Sequence, residues 1–159
     1  MTELPSQPAS LVPRSVLVVD DERDLADQIA RYLRFVGYEA DVAYDAEEAI
    51  AKIDRDHHRV VITDLKMPGR QGDELLADLK RRDGTIQIIA MSGHVRVSRL
   101  INCLGLGACD CFSKPVNLEE MGVAVGEAFK RLDRWIRIMK GFCGYPPALD
   151  SPGAAGGPP

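Results

Sequence analysis

The stretch Arg59-Val-Val-Ile-Thr-Asp64-Leu-Lys-Met-Pro-Gly69 decides the fold of this chain. A short apolar run ends on the single carboxylate of Asp64, and a proline and a glycine follow closely. This pattern predicts a buried strand that delivers Asp64 to a surface loop, with a helix beginning soon afterwards. Open α/β sheets bind ligands beyond the carboxyl ends of their strands, so the pattern makes Asp64 the first candidate for a functional residue.

The length and composition of the chain favour one soluble globular domain. It has 159 residues, of which 45% are hydrophobic, and this is enough for a substantial core. The net charge of -4 and the lack of a long basic run argue against nucleic-acid binding. No apolar run approaches the roughly 18 residues of a membrane span, and the N-terminus lacks the pattern of a secretory signal. We therefore expect a cytoplasmic protein.

The cysteines show no metal-binding or disulfide pattern. They are Cys103, Cys109, Cys111 and Cys143, and their spacing gives no CxxC pair. We expect reduced thiols, as in most cytosolic proteins. Because Cys109 and Cys111 flank one residue of a predicted strand, we also expect these two side chains to share a face of the sheet.

Strand patterns and helix patterns alternate along the chain. Apolar and β-branched runs predict strands at residues 15–19, 38–43, 60–63, 86–91 and 108–112. Apolar residues at helical spacing predict helices near residues 25–36, 46–56, 72–82, 97–104 and 117–140. Such alternation predicts an α/β fold with a parallel sheet, helices on both faces and right-handed crossovers.

The ends of the chain differ in composition from its middle. Prolines and small polar residues predict a flexible segment at residues 1–14, and glycine, proline and alanine predict a disordered tail at residues 141–159. We expect the single folded domain to occupy residues 15–140.

Four of the predicted strands end on functional groups. They are Asp20 with Asp21, then Asp64, Ser92 and Lys114. Each has a plain structural explanation: the first two could cap the first helix, and Lys114 could be a solvated surface residue. In a parallel sheet, however, all carboxyl ends lie on one edge, so chain order alone would gather these groups. Their joint occurrence favours a functional site.

Phosphoryl transfer to a carboxylate is the chemistry that needs this set of groups. Three clustered acids repel one another and favour a hard cation such as Mg²⁺. With Mg²⁺ bound, Asp64 can act as the nucleophile towards a phosphoryl group. Lys114 would neutralise charge on the transferring group, and the hydroxyl of Ser92 can hydrogen-bond the bound phosphoryl.

These motifs resemble the receiver domain of the two-component response-regulator family. The matching segments are Val-Val-Asp20-Asp21-Glu22, Ile-Thr-Asp64-Leu-Lys-Met-Pro68-Gly69, Met-Ser92-Gly93 and Ser-Lys114-Pro115. The resemblance covers roughly residues 15–135. It implies a flavodoxin-like fold with five helices around a five-stranded parallel sheet of strand order 2-1-3-4-5.

The resemblance also implies what the site residues do. The phosphoacceptor would be Asp64, fed by a sensor histidine kinase or a histidine phosphotransfer protein. Mg²⁺ would contact Asp21, Asp64 and the backbone carbonyl of Lys66, while Asp20 would act largely through water. The protein would catalyse only its own phosphorylation and dephosphorylation, so it would not be an enzyme in the usual sense.

Two further groups complete the implied site. Ser92 and Lys114 would contact the phosphoryl oxygens. The peptide bond between Lys114 and Pro115 would be cis, as is common in the family.

Two positions depart from the family pattern. Cys111 stands three residues before Lys114, where the family usually has a tyrosine or phenylalanine that acts as a rotameric switch. Phe112, beside it, is expected to point to the other face of the strand. In addition, the segment Arg70-Gln71-Gly72 has no acidic residue before its glycine, where the family more usually has one.

The leading hypothesis is a stand-alone receiver that signals through protein contacts. The sequence shows no DNA-binding or enzymatic output region, and the partner surface is expected within residues 96–140. A homodimer that depends on phosphorylation is a further option. The main alternative is a relay intermediate that passes its phosphoryl group to a histidine phosphotransfer protein. An Mg²⁺-dependent phosphohydrolase ranks low, because Lys66 occupies the place of the acid it would need, and the intact site disfavours a phosphorylation-independent adaptor.

The histidines are weaker candidates. His57 and His58 lie at the end of a polar helix, and we expect both to be solvated. His94 follows the Ser92-Gly93 motif, where it could tune the rate of dephosphorylation or serve as an ordinary loop residue.

Overall fold

The structure, a computed structural model, describes residues 11–69, 72–93 and 96–142. Five strands alternate with five helices along this part of the chain. The strands are β1 (Ser15–Val19), β2 (Glu39–Ala43), β3 (Val60–Asp64), β4 (Gln87–Ser92) and β5 (Asp110–Ser113). The helices are α1 (Arg23–Phe35), α2 (Ala46–Asp56), α3 (Gly72–Arg82), α4 (Val97–Gly105) and α5 (Leu118–Lys140). The predicted elements are thus confirmed, with ends that shift by one or two residues.

The five strands form one parallel sheet in the order β2-β1-β3-β4-β5, as predicted. The register pairs Val19 with Thr63, and Thr63 with Ala90. The ends of β1, β3 and β4 therefore lie within about two residues of one another along the sheet. This alignment brings the residues that follow these strands to one edge of the sheet.

Helices cover both faces of the sheet, which explains the continuous apolar run of β3. Val60 and Ile62 pack against α1 and α5, whereas Val61 belongs to the core formed with α2, α3 and α4. All three side chains are fully buried. A strand that alternated apolar and polar residues would place polar groups in one of these two cores.

Two glycines of α5 lie where the helix approaches tyrosine side chains. A Cβ atom on Gly122 would lie 3.2 Å from the ring of Tyr32, and one on Gly126 would lie 3.3 Å from the hydroxyl of Tyr38. Glycine costs up to about 1 kcal/mol relative to alanine inside a helix. At these two positions the cost is offset by the close approach of α5 to the tyrosines.

The chain already packs against α5 before β1 begins. The backbone N–H of Leu11 donates a hydrogen bond of 3.1 Å to Oδ1 of Asp133, and Val12 is buried in the core beside α1 and α5. Residues 11 and 12 thus belong to the packed part of the molecule. Residues 1–10 of the predicted flexible segment 1–14 lie outside the described residues, as do residues 143–159 of the predicted tail 141–159. Both boundaries stay predictions.

The cysteines confirm one expectation and correct another. Cys103, Cys109 and Cys111 are free thiols, and Cys143 lies outside the described residues. Cys109 packs on the α1 and α5 side of the sheet, whereas Cys111 packs on the opposite side. The prediction that they share a face is wrong, because β5 begins only at Asp110 and the alternation of the strand does not extend to Cys109.

The prediction that both neighbouring histidines are solvated is wrong for His58. His57 is exposed and ends α2 in the left-handed region, with φ 55°. This turn carries the chain inward, and His58 is only 4% exposed. Its Nδ1 lies 2.7 Å from the hydroxyl of Ser15 at the start of β1.

In the described part of the chain, no helix combines the length and the apolar character that a membrane crossing requires.

Candidate functional site

The ends of four strands position the predicted site residues along one edge of the sheet. Asp20 follows β1, Asp64 ends β3, Ser92 ends β4 and Lys114 follows β5. Backbone hydrogen bonds continue beyond the strands: the N–H of Asp20 donates to the carbonyl of Ala43 at 3.1 Å, and that of Lys114 donates to the carbonyl of Ser92 at 2.9 Å. The backbone thus fixes where the side chains begin, and the structure brings the predicted groups together.

The Lys114 ammonium lies among three carboxylates. Its Nζ is 2.9 Å from Oδ2 of Asp20 and 3.2 Å from Oδ2 of Asp64. Oε1 of Glu22 lies at 3.2 Å on the solvent side, with a side chain that is 64% exposed. The ammonium is therefore anchored mainly by the two buried acids.

Three carboxylates of the site are close enough to share one metal ion. One oxygen each from Asp20, Asp21 and Asp64 lies within 4.8 Å of the other two. Asp20 is fully buried, Asp64 is nearly so, and Asp21 is exposed. Carboxylate oxygens are the ligands that Mg²⁺ prefers in proteins, usually together with several waters.

One oxygen of this cluster lacks a hydrogen bond. Oδ1 of Asp20 accepts the backbone N–H of Glu22 at 2.9 Å. Oδ2 is buried, and no described residue donates a hydrogen bond of good geometry to it, although Lys114 is near enough for an ion pair. A buried charged oxygen without a hydrogen bond is costly, and a metal ion bound beside the cluster would lower that cost further than Lys114 alone. The donor set therefore suits a divalent cation bound at this edge.

The charges at the site alter the titration of two groups. Burial raises the pKa of Asp20, and the nearby charge of Asp64 adds to this effect, while Lys114 and the N–H of Glu22 offset it only in part. Burial by itself would lower the pKa of Lys114, but the carboxylates of Asp20 and Asp64 outweigh burial and raise it. Lys114 is therefore firmly positive, and the acids carry more negative charge than one lysine neutralises.

Asp64 faces a cleft at the end of the sheet. Oδ1 of Asp64 accepts the backbone N–H of Lys66 at 3.2 Å, which orients the carboxylate. The cleft has a volume of about 570 Å³, and its walls include Asp21, Ser92, Lys114 and the loop of residues 66–69. The space beside Asp64 is open to a small anionic group and is lined by a hydroxyl and an ammonium.

Two residues at the site were not predicted from the sequence. Glu22 pairs with Lys114, and its position directly after two aspartates was the only signal available. Arg99 on α4 donates from Nη2 to the carbonyl of Leu65 at 2.6 Å and also lines the cleft. No sequence pattern marks Arg99, because it lies on a helix and not at a strand end.

The alternative role of the first two aspartates as helix caps is not supported. The N-cap residue of α1 is Glu22, which makes no capping hydrogen bond with its side chain. Asp20 instead bonds the N–H of Glu22, ahead of the helix.

The remaining expectations at this edge have mixed outcomes. The peptide bond between Lys114 and Pro115 is cis, as the resemblance implied. Cys111 and Phe112 point to opposite sides of the sheet, as predicted, so no aromatic side chain of β5 lies on the side of Cys111. His94 and the departure at Arg70-Gln71 lie outside the described residues.

Comparison of the sequence with known families gives a match over most of the domain. The model of the response regulator receiver domain matches residues 16–126. The sensory transduction protein RegX3 of Mycobacterium tuberculosis is 33% identical over 117 residues, which are 74% of this chain and 51% of RegX3. The nitrogen assimilation regulatory protein NtrX of Azorhizobium caulinodans is 32% identical over 129 residues, which are 79% of this chain and 28% of NtrX. The chain thus spans about half the length of RegX3 and less of NtrX.

Comparison with solved structures gives the same result. The CheY-like receiver domain protein of Methanospirillum hungatei superposes with a TM-score of 0.74 at 27% identity, covering 77% of this chain and 98% of that one. The receiver domain of NtrX from Brucella abortus superposes with a TM-score of 0.69 at 30% identity, covering 72% and 98%. Sequence, strand order and site geometry agree, and the chain belongs to the response regulator receiver domain family.

Proposed function

We propose that Asp64 accepts a phosphoryl group from a partner histidine kinase and that the domain then signals by binding another protein. Membership of the receiver family makes the chain a phosphorylatable signalling protein. The observation that carries the choice of residue is the position of the Asp64 carboxylate. It opens onto the cleft, 3.2 Å from Lys114 and within 4.8 Å of two further acids.

The acidic cluster suits Mg²⁺, because the carboxylates of Asp20, Asp21 and Asp64 outnumber the single ammonium of Lys114. Asp21, Asp64 and the backbone carbonyl of Lys66 would hold the ion, and Asp20 would reach it through water. When bound, Mg²⁺ would lower the mutual repulsion of the carboxylates and stabilise the charge of the phosphoryl oxygens.

The protein's own groups position the reaction. A carboxylate oxygen of Asp64 forms the new bond to phosphorus while the bond from phosphorus to the donor's imidazole nitrogen breaks. The N–H of Lys66 orients the carboxylate at its Oδ1. The ammonium of Lys114 moves from Asp64 to one phosphoryl oxygen. The hydroxyl of Ser92 donates a hydrogen bond to another phosphoryl oxygen. Positioning and electrostatics supply most of the rate, as is general for phosphoryl transfer.

The new charge gives the domain two states. Phosphorylation replaces the single negative charge of Asp64 by an acyl phosphate of about minus two. The hydroxyl of Ser92 then gains a strong acceptor, which favours conformations in which β4 and the loop after it move towards Asp64. With Cys111 in place of an aromatic residue, the change on the α4 side would involve a smaller side chain.

The output surface is expected on the outer faces of α4, β5 and α5, within residues 96–140. Large apolar side chains are exposed on both helices of this region, at Val97, Ile101, Leu104, Trp135 and Ile138. Exposed apolar side chains on the helices before and after β5 suit a protein partner better than solvent. The cognate kinase and the downstream protein belong to this proposal, because the chain spans only about half the length of RegX3 and less of NtrX.

Labelling with acetyl phosphate tests the proposal. The wild-type protein should gain one phosphoryl group in the presence of Mg²⁺, and Asp64→Asn should abolish the labelling. Asp54→Asn, which changes an exposed aspartate, is the matched control and should label like the wild type. Labelling of Asp64→Asn at the wild-type level would refute the assignment.

Onward transfer separates signalling from the relay alternative. A relay intermediate would pass its phosphoryl group to a histidine phosphotransfer protein, whereas a terminal signalling domain would lose it to water. A phosphohydrolase would instead turn over small phosphate esters many times, but exposed Lys66 stands where its general acid would be needed.

A further inference from the structure

A second cluster of metal-ligating side chains lies at the opposite end of the sheet from Asp64. It consists of Asp41 on β2, Asp56 at the end of α2 and His58 in the connection to β3. One ligand atom from each residue lies within 4.8 Å of the other two. Ser15, which contacts His58, is the first residue of β1, and Asp20 follows the last residue of that strand. At about 3.3 Å per residue, the length of β1 separates this cluster from the acidic edge by roughly 16 Å.

The imidazole of His58 makes this cluster more than a group of surface acids. His58 is 4% exposed, and its Nε2 is buried with no hydrogen-bond partner among the described residues. The nearest carboxylate oxygen, Oδ2 of Asp56, lies 3.9 Å away, which is too far for a hydrogen bond. A buried polar nitrogen that lies near a carboxylate without a hydrogen bond to it requires an explanation.

The other ring nitrogen has the partner that a metal-binding histidine uses. Nδ1 lies 2.7 Å from the hydroxyl oxygen of Ser15, which can accept the Nδ1 proton. That tautomer leaves the Nε2 lone pair free, with Oδ2 of Asp56 3.9 Å away. Burial also lowers the pKa of His58, which keeps the ring neutral and able to bind a metal near neutral pH.

We propose that Asp41, Asp56 and Nε2 of His58 bind a divalent transition-metal ion of the zinc type, with water completing the coordination. Imidazole nitrogen selects such ions over Mg²⁺ and Ca²⁺, which prefer oxygen alone. With bonds of about 2.1 Å, tetrahedral ligands lie about 3.4 Å apart. The 3.9 Å between Asp56 and His58 is already close to that value, and Asp56 is exposed.

Two cations compete with the metal and set its affinity. Lys52 Nζ lies 3.1 Å from Oδ1 of Asp41 and 3.3 Å from Oε1 of Glu48. Lys52 can therefore keep its ion pair with Glu48 when a metal ion binds Asp41. Arg55 bonds both oxygens of Asp56, at 3.0 Å and 2.8 Å, but its side chain is 67% exposed. Exposed pairs of this kind contribute little, and a metal ion can displace them. We therefore expect binding that is specific but weaker than in a structural zinc site.

Calorimetric titration of the full chain with ZnCl₂ tests the site. The buffer contains a reductant that does not bind zinc and enough Mg²⁺ to saturate the acidic edge. The His58→Gln variant should bind one zinc ion fewer, or bind it more than about 100-fold more weakly. Even residues that only hydrogen-bond a metal ligand contribute about 10- to 100-fold to metal affinity, and a direct ligand should contribute more. Asp56→Asn should weaken binding of the same zinc ion, and because Asp56 is exposed, this variant should fold like the wild type.

His57→Asn is the matched control. It removes the neighbouring exposed imidazole, and asparagine tolerates the left-handed conformation at that position. This variant should bind zinc like the wild type. Equal binding by His58→Gln and the wild type would overturn the proposal, as would loss of the same zinc ion in His57→Asn.

A second measurement identifies the ligand atom and separates the site from the proposed phosphoacceptor. Zinc should shift the ¹⁵N resonance of His58 Nε2, and Ser15→Ala should weaken binding about 10-fold through its loss as the partner of Nδ1. Asp64→Asn should leave both the zinc equivalent and the shift unchanged. An unchanged Nε2 resonance at saturating zinc would overturn the assignment of His58, whatever the outcome of phosphorylation.

Discussion

Lys114 forms an ion pair of 2.9 Å with Asp20, and the pair joins the ends of strands that are not neighbours in the sheet. β1 and β5 are separated by β3 and β4, so the lysine side chain spans the edge on which Asp64 lies. In this state the ammonium holds the acidic cluster together. The same ammonium is the group that would move to an incoming phosphoryl.

Removing this ammonium should destabilise the protein. Lys114→Met leaves the buried carboxylates of Asp20 and Asp64 without a cation, and we expect a loss of about 1–3 kcal/mol in the free energy of unfolding, less than for a fully buried pair. Urea denaturation without divalent ions measures it. Added Mg²⁺ should restore part of the loss, whereas Lys130→Met, at an exposed position of α5, should change the stability by less than about 0.5 kcal/mol. Equal stability of the two variants would contradict the role of Lys114.

Neutralising Asp20 should have the opposite effect when metal is absent. In Asp20→Asn the oxygen that accepts the N–H of Glu22 is kept, while a buried charge with a raised pKa is removed. We expect stability to rise by about 1 kcal/mol, or a melting temperature about 2–4 °C higher for a domain of this size. The rise in melting temperature on adding Mg²⁺ should shrink in the same variant. A lower melting temperature in metal-free buffer would show that Asp20 is not electrostatically strained.

Packing ahead of β1 should contribute to stability. Val12→Ala removes buried methyl groups from the core beside α5 and should cost about 1–2 kcal/mol in urea denaturation. Val123→Ala makes the same change on the solvent side of α5, where the side chain is 63% exposed, and should cost less than about 0.5 kcal/mol. Similar values for the two variants would mean that residues 11–14 do not add to the folded core.

Arg99 should restrain α4 relative to the loop after β3. Its hydrogen bond to the carbonyl of Leu65 is charge-assisted and half-buried, so Arg99→Ala should weaken local structure by about 1 kcal/mol. Amide hydrogen exchange in α4 and residues 65–69 should then be about fivefold faster. Arg81→Ala, an exposed change on α3, serves as the control. Unchanged exchange in α4 would show that the bond does not couple the two segments.

The fold and the edge that carries Asp64 could be predicted because local patterns determine them. Continuous apolar runs identified buried strands, and parallel strands necessarily bring their carboxyl ends together. The positions of Asp20, Asp64 and Lys114 followed from this geometry alone. The strand order came from the family resemblance and was confirmed by the structure.

The features that could not be predicted depend on single turns and long side chains. His58 is buried because one left-handed residue before it redirects the chain, and its polar neighbours gave no sign of this. Cys109 lies one residue outside β5, so the alternation expected for Cys111 does not apply to it. Arg99 reaches Leu65 across the gap between a helix and a loop, a contact that no periodic pattern encodes.

The most direct test of the central claim is to locate the phosphoryl group in the protein. After reaction with acetyl phosphate and Mg²⁺, the acyl phosphate is reduced with borohydride, and mass spectrometry of the peptides identifies the modified residue. We predict modification of Asp64 alone, with none at Asp20 or Asp21 and none at all in Asp64→Asn. Modification of another residue, or an unmodified Asp64 in protein that has gained a phosphoryl group, would contradict the account.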